Sequence, residues 1–143
     1  MGLRSLSKEI CLLCLLALLP AVAAALWHPR RPAFVTPPLG PGEVHGRTAR
    51  MWGPRVLWVD ARAGREFDKG HVRGALPLSE DQWDQQLKAV IEAWDESRIV
   101  VVYCASDLCR SAHDVADRLR REMQWNDVYV LQGGWAQWQR MLP

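Results

Sequence analysis

Three short apolar runs constrain this fold most: Val56-Leu57-Trp58-Val59, Ile99-Val100-Val101-Val102-Tyr103 and Val128-Tyr129-Val130-Leu131. A strand with one wet face alternates apolar and polar residues. These runs are continuous and rich in β-branched residues, as parallel strands covered on both faces should be. Parallel neighbours need long crossovers, and helical patterns lie between the runs. Trp83, Leu87, Val90, Ile91 and Trp94 recur at i, i+4, i+7, i+8 and i+11, which predicts one stripe of a helix. Ser79 followed by Gln82 predicts a capping box at its start. A second stripe is Ala112, Val115, Ala116, Leu119 and Met123, and a short final helix should carry Trp135 and Trp138. Strands alternating with helices predict an α/β domain around a mostly parallel sheet.

The rest of the chain limits what this domain can be. Its 143 residues are enough for one compact domain, and eight tryptophans call for a core or interface to hold part of them. A net charge of +2 with interspersed signs forms no basic stripe, so no nucleic-acid partner is expected. Arg4 and Lys8 precede an apolar run from Ile10 to Leu26 that exits through Ala21-Val22-Ala23-Ala24-Ala25. That is the layout of a secretory signal, and its length reaches the lower limit for a membrane span. Residues 1–27 are therefore expected to be a signal peptide or an N-terminal membrane anchor, with the domain exported or tethered, the extracytoplasmic side favoured. Cys11 and Cys14 lie inside this run as apolar filler. Residues 28–54 are rich in Pro, Gly and Arg and read as a linker, with a first short strand and turn from Glu43. The domain is then expected over 55–143.

Sites in open parallel sheets form beyond the carboxyl ends of the strands. Asp60, Cys104 and Gln132-Gly133-Gly134 directly follow the three runs and should meet on one edge. Cys104 opens a loop of Ala105, Ser106, Asp107, Leu108 and Cys109 that leads into a helix starting near Arg110 or Ser111. A thiol there faces backbone N–H groups and the positive end of a helix, which stabilise a thiolate. A cysteine at a strand end is ordinarily a small buried hydrophobe; the polar loop and the second cysteine favour a nucleophile. No cysteine or histidine spacing fits a metal, and the chemistry calls for no cofactor.

These residues resemble the rhodanese-like family. Val56 to Arg62 is similar to its first core strand with an Asp-x-Arg ending. Glu66-Phe67-Asp68-Lys69-Gly70-His71-Val72-Arg73-Gly74-Ala75 resembles its Gly-His-Ile-x-Gly-Ala signature. Tyr103-Cys104 resembles the active-site entry, and Leu131-Gln132-Gly133-Gly134-Trp135 with Trp138 resembles the C-terminal signature. The resemblance implies a three-layer α/β fold and a sulfurtransferase in which Cys104 takes sulfur from a small sulfane donor, holds it as a persulfide and passes it to a thiol acceptor. It assigns Asp60, Arg62 and His71 supporting roles. The loop departs from the family's Cys-Arg-x-Gly-x-Arg pattern, and the acidic Asp107 disfavours anionic donors such as thiosulfate.

Three chemistries remain open for the loop. The first is sulfur transfer on Cys104. The second is thiol–disulfide or persulfide-resolving chemistry, with Cys109 as the resolving thiol and a redox partner protein. The third uses the Cys-x5-Arg spacing of Cys104 and Arg110, which thiol phosphatases share, with Arg110 clamping two oxygens. A non-catalytic binding domain is the residual alternative.

Overall fold

The computed structural model describes residues 38–106 and 109–142, together with Leu16, Leu18 and Pro20. The chain divides into two units, 1–37 and 38–143. In the first, the three described residues have helical backbone and exposed side chains. Among the described residues no helix is long and apolar enough to cross a membrane. The expectations of a signal or anchor over 1–27, and of a linker as far as residue 37, lie otherwise outside the described residues.

The second unit contains a five-stranded, all-parallel sheet in the order β1-β5-β4-β2-β3. Its strands are β1 (Glu43–Val44), β2 (Val56–Asp60), β3 (Leu76–Pro77), β4 (Ile99–Tyr103) and β5 (Val128–Leu131). Its helices are α1 (Gly46–Trp52), α2 (Gly64–Asp68), α3 (Trp83–Ala93), α4 (Ser111–Met123) and α5 (Gly134–Met141). β2 and β4 pair without a gap from Val56↔Ile99 to Asp60↔Tyr103. Their side chains alternate between two cores, as the strand period of two requires. Leu57, Val59, Val100 and Val102 pack with Trp83 and Val90 of α3 and with Val115 and Leu119 of α4. Val56, Trp58, Ile99, Val101 and Tyr103 pack with Ala49 of α1 and Trp138 of α5. Both faces are covered, which makes the fold three-layered and explains why the strand sequences carry no polar alternation.

The structure differs from the expectations in three places. The folded unit begins at Pro38 and not at residue 55. Residues 43–52 form an edge strand and a helix, where a linker with a strand and turn was expected. The composition misled because its glycines are structural. Gly42 has φ 71°, and a Cβ there would come within 2.7 Å of Arg120 Nη2. That guanidinium donates to Val128 O (2.5 Å) and to Asp117 Oδ1 (2.6 Å), tying α4 to the end of β5 beside β1. Ser79 makes no side-chain cap. Instead its N–H donates to Gln86 Oε1 (2.8 Å), and a 3-10 turn over Glu80–Gln82 precedes α3. Ile91 belongs to the predicted stripe but is exposed.

Candidate active site

The carboxyl ends of β2, β4 and β5 converge as their positions in sequence require. Ala61 N–H donates to Tyr103 O (2.8 Å), and Leu78 N–H donates to Asp60 O (2.9 Å). The first turn of α5 donates from Trp135 N to Cys104 O (2.7 Å) and from Ala136 N to Ala105 O (3.1 Å). Those N–H groups have no partner within their own helix, and the loop carbonyls satisfy them. Gly134 makes this approach feasible. At φ 52°, a Cβ on it would lie 2.5 Å from Cys104 O and 3.0 Å from Ser106 N. A side chain here would push the loop off the sheet edge.

Cys104 is 3% exposed and is joined to Cys109 in a disulfide whose Cα atoms are 6.1 Å apart. Cys109 is partly buried, its N–H donates to Ser106 O (3.1 Å), and the Ser111 hydroxyl lies 3.7 Å from its Sγ. Ala105 is exposed and Ser106 partly buried, while Asp107 and Leu108 lie outside the described residues. The expectation that Asp107 disfavours anions therefore falls there too. Arg110 is an exposed residue at the N-cap of α4 and makes no side-chain capping bond. Among the described residues no group of His, Cys, Asp and Glu could hold a metal.

Asp60 and Arg62 stand behind the site. Asp60 is fully buried and Arg62 is 6% exposed. Arg62 Nε donates to Asp60 Oδ1 (2.9 Å), Nη2 donates to Oδ2 (2.6 Å), and the Arg62 N–H also reaches Oδ1 (3.0 Å). Nη2 further donates to Gly70 O (2.7 Å). The guanidinium lies over the rings of Tyr103 and Trp135, 5.6 and 5.1 Å from their centroids. The ion pair thus braces the residue before Cys104 and the residue whose N–H holds Cys104 O.

His71 is not part of this cluster. Its Nδ1 lies 3.0 Å from Phe67 O, and its ring stacks on Phe67 at 3.8 Å, so its contacts are local ones. Sequence reasoning placed Tyr103 at the active-site entry but gave it no role of its own; its hydroxyl accepts from Val72 N–H (3.0 Å) and fixes the Gly-His-Val segment to β4. Burial pushes its phenol well above the usual range, reinforced by the Asp60 charge and opposed by the Val72 hydrogen bond. A buried phenol directly before the cysteine was the available signal.

Comparison with known proteins agrees with this geometry. The Rhodanese-like domain model matches residues 48–141. The chain is 35% identical over 83 residues to the Thiosulfate sulfurtransferase GlpE of Shewanella oneidensis, covering 58% of this chain and 75% of that protein. It is 28% identical over 116 residues to the human M-phase inducer phosphatase 1, covering 73% of this chain but 22% of the phosphatase. It is 29% identical over 90 residues to the tRNA uridine(34) hydroxylase of Sodalis glossinidius, covering 61% of this chain and 24% of the hydroxylase. The chain thus spans less than a quarter of the length of those two larger relatives. A rhodanese-related protein from Thermoplasma volcanium shares the fold with a TM-score of 0.56 at 13% identity, covering 71% of this chain and 94% of that one. With both the family signature and the three-layer parallel sheet in place, the chain belongs to the rhodanese-like domain family.

Proposed function

We propose that this protein is a sulfurtransferase that carries sulfane sulfur as a persulfide on Cys104. One observation carries the reading: a cysteine stands at the carboxyl end of β4 and leads into α4, with its carbonyl clamped by the first turn of α5. The similarity to a thiosulfate sulfurtransferase over three quarters of that enzyme supports it. In the reduced protein the Cys104 thiolate attacks the sulfane sulfur of a donor. An S–S bond forms at Cys104, and the bond between that sulfur and the donor residue breaks. A thiolate acceptor then attacks the outer sulfur and Cys104 leaves as thiolate. Backbone N–H groups and the amino end of α4 stabilise the anionic sulfur. The loop has no Arg beside the cysteine, so an uncharged organic polysulfide or a small-molecule persulfide fits better than the thiosulfate dianion.

The test is intact mass after exposure of the reduced full chain carrying Cys109→Ser to polysulfide, and separately to thiosulfate. A gain of one sulfur that disappears when Cys104→Ser is added supports the proposal. No gain from either donor overturns it, and Cys104-dependent turnover of an aryl phosphate would instead favour the phosphatase reading.

A further inference from the structure

We propose that Cys109 resolves the Cys104 persulfide, so that the protein releases sulfane sulfur as hydrosulfide and ends as the disulfide. This rests on the persulfide reading above. The two sulfurs are bonded in the structure, five positions apart, with Cα atoms at 6.1 Å, inside the span that a disulfide bridges without backbone movement. Both ends are held by contacts that do not depend on the bond. Cys104 is anchored through its carbonyl to Trp135 N (2.7 Å), and Cys109 through its N–H to Ser106 O at the entrance to α4 (3.1 Å). After reduction the thiols therefore stay within a side-chain rotation of each other. An intramolecular thiol at such an effective concentration outruns a dilute acceptor.

The local chemistry fits the role. Cys109 lies beside the amino end of the 13-residue helix α4, with the Ser111 hydroxyl 3.7 Å from its sulfur. Both favour its thiolate. That thiolate attacks Cys104 Sγ, forming the Cys104–Cys109 bond and breaking the bond to the outer sulfur. The outer sulfur takes the electron pair and a proton and leaves as hydrosulfide. The sulfane sulfur is reduced by two electrons, and the two cysteines are oxidised by two. A dithiol protein must return those electrons. It meets the partly buried Cys109 sulfur before Cys104, which is 3% exposed, and so expels Cys104 as the leaving thiolate.

The experiment is a single turnover under anaerobic conditions with the reduced, desalted full chain and polysulfide as donor, reading hydrosulfide with a trapping reagent and the protein by intact mass. Wild type should release one hydrosulfide per chain and lose two thiol hydrogens, mapped to Cys104 and Cys109. Cys109→Ser should keep the extra sulfur on Cys104 and release hydrosulfide about a hundredfold more slowly. Equal release rates in the two proteins overturn the proposal. So does a wild type that stays persulfidated with Cys109 reduced, a result read without any variant. A persulfide mapped to Cys109 also overturns it, because the outer sulfur would then have been transferred and not released. If Cys109→Ser takes up no sulfur, the persulfide reading itself fails and this proposal falls with it.

Discussion

Asp60→Asn tests whether the buried ion pair holds the fold and the site together. The substitution keeps the shape and removes the charge. In the wild type, Oδ1 accepts from Arg62 N and Nε, and Oδ2 accepts from Nη2 at 2.6 Å. An asparagine must turn its NH2 group toward one of these sides, and either choice sets donor against donor. Arg62, 6% exposed, then keeps its charge with no buried anion beside it. Breaking one partner of such a pair costs about 3 to 5 kcal/mol. A domain of this size has about 5 to 15 kcal/mol in total, so the variant should lose about a fifth or more of its stability. Urea unfolding followed by tryptophan fluorescence measures this, and thermal unfolding should shift down by about 10 to 20 °C. Asp60→Asn combined with Arg62→Met should recover part of the loss, because the second change removes the stranded charge. A loss below about 1 kcal/mol in the single variant, or no recovery in the double, would refute the reasoning.

Other perturbations read other parts of the molecule. Reducing the Cys104–Cys109 bond, which closes a loop of sequence separation five, should cost about 2 kcal/mol from loop entropy, measured as the difference in urea midpoint with and without a dithiol reductant. Gly134→Ala should cost about 2 kcal/mol and change the alkylation rate of reduced Cys104, since its Cβ falls 2.5 Å from Cys104 O at a positive φ; an unchanged rate would separate Gly134 from the site. Leu119→Ala, at a position with no exposure, should cost about 2 to 5 kcal/mol in the same unfolding assay. Tyr103 is held protonated in the fold, and its unfolded phenol titrates near 10.0. Its stabilisation is complete below that pH and declines as the pH rises toward the higher folded-state value, because the unfolded chain then loses a proton that the fold retains. Tyr103→Phe should flatten that alkaline decline while costing about 1 to 2 kcal/mol at neutral pH from the unpaired Val72 N–H.

The sequence by itself determined the parallel sheet, its three long strands β2, β4 and β5, and the place of Cys104. Continuous β-branched runs have one stable environment, a strand covered on both faces, and a residue that ends such a strand must emerge at the sheet edge. Asp60 and Arg62 were marked as supporting residues through the family resemblance, and their pairing is what the structure adds. Tertiary structure decided the rest. β3 is a two-residue strand with no period to detect, and it exists only because β2 offers it an edge, while the short strand expected from Glu43 is held in the same way by β5. α1 rises from a composition that reads as a spacer, because Ala49 is buried beside Trp138, a residue 89 positions later. The stripe of α3 failed at Ile91, where periodicity says which face turns inward but not how wide a band of that face is covered. Spacing alone left three chemistries open at the loop. What distinguishes Cys109 from Arg110 is three-dimensional: one side chain turns in to bond Cys104, and the other is exposed at the cap of α4. A loop's sequence fixes which groups are available, while the contacts that clamp its ends fix which of them meet.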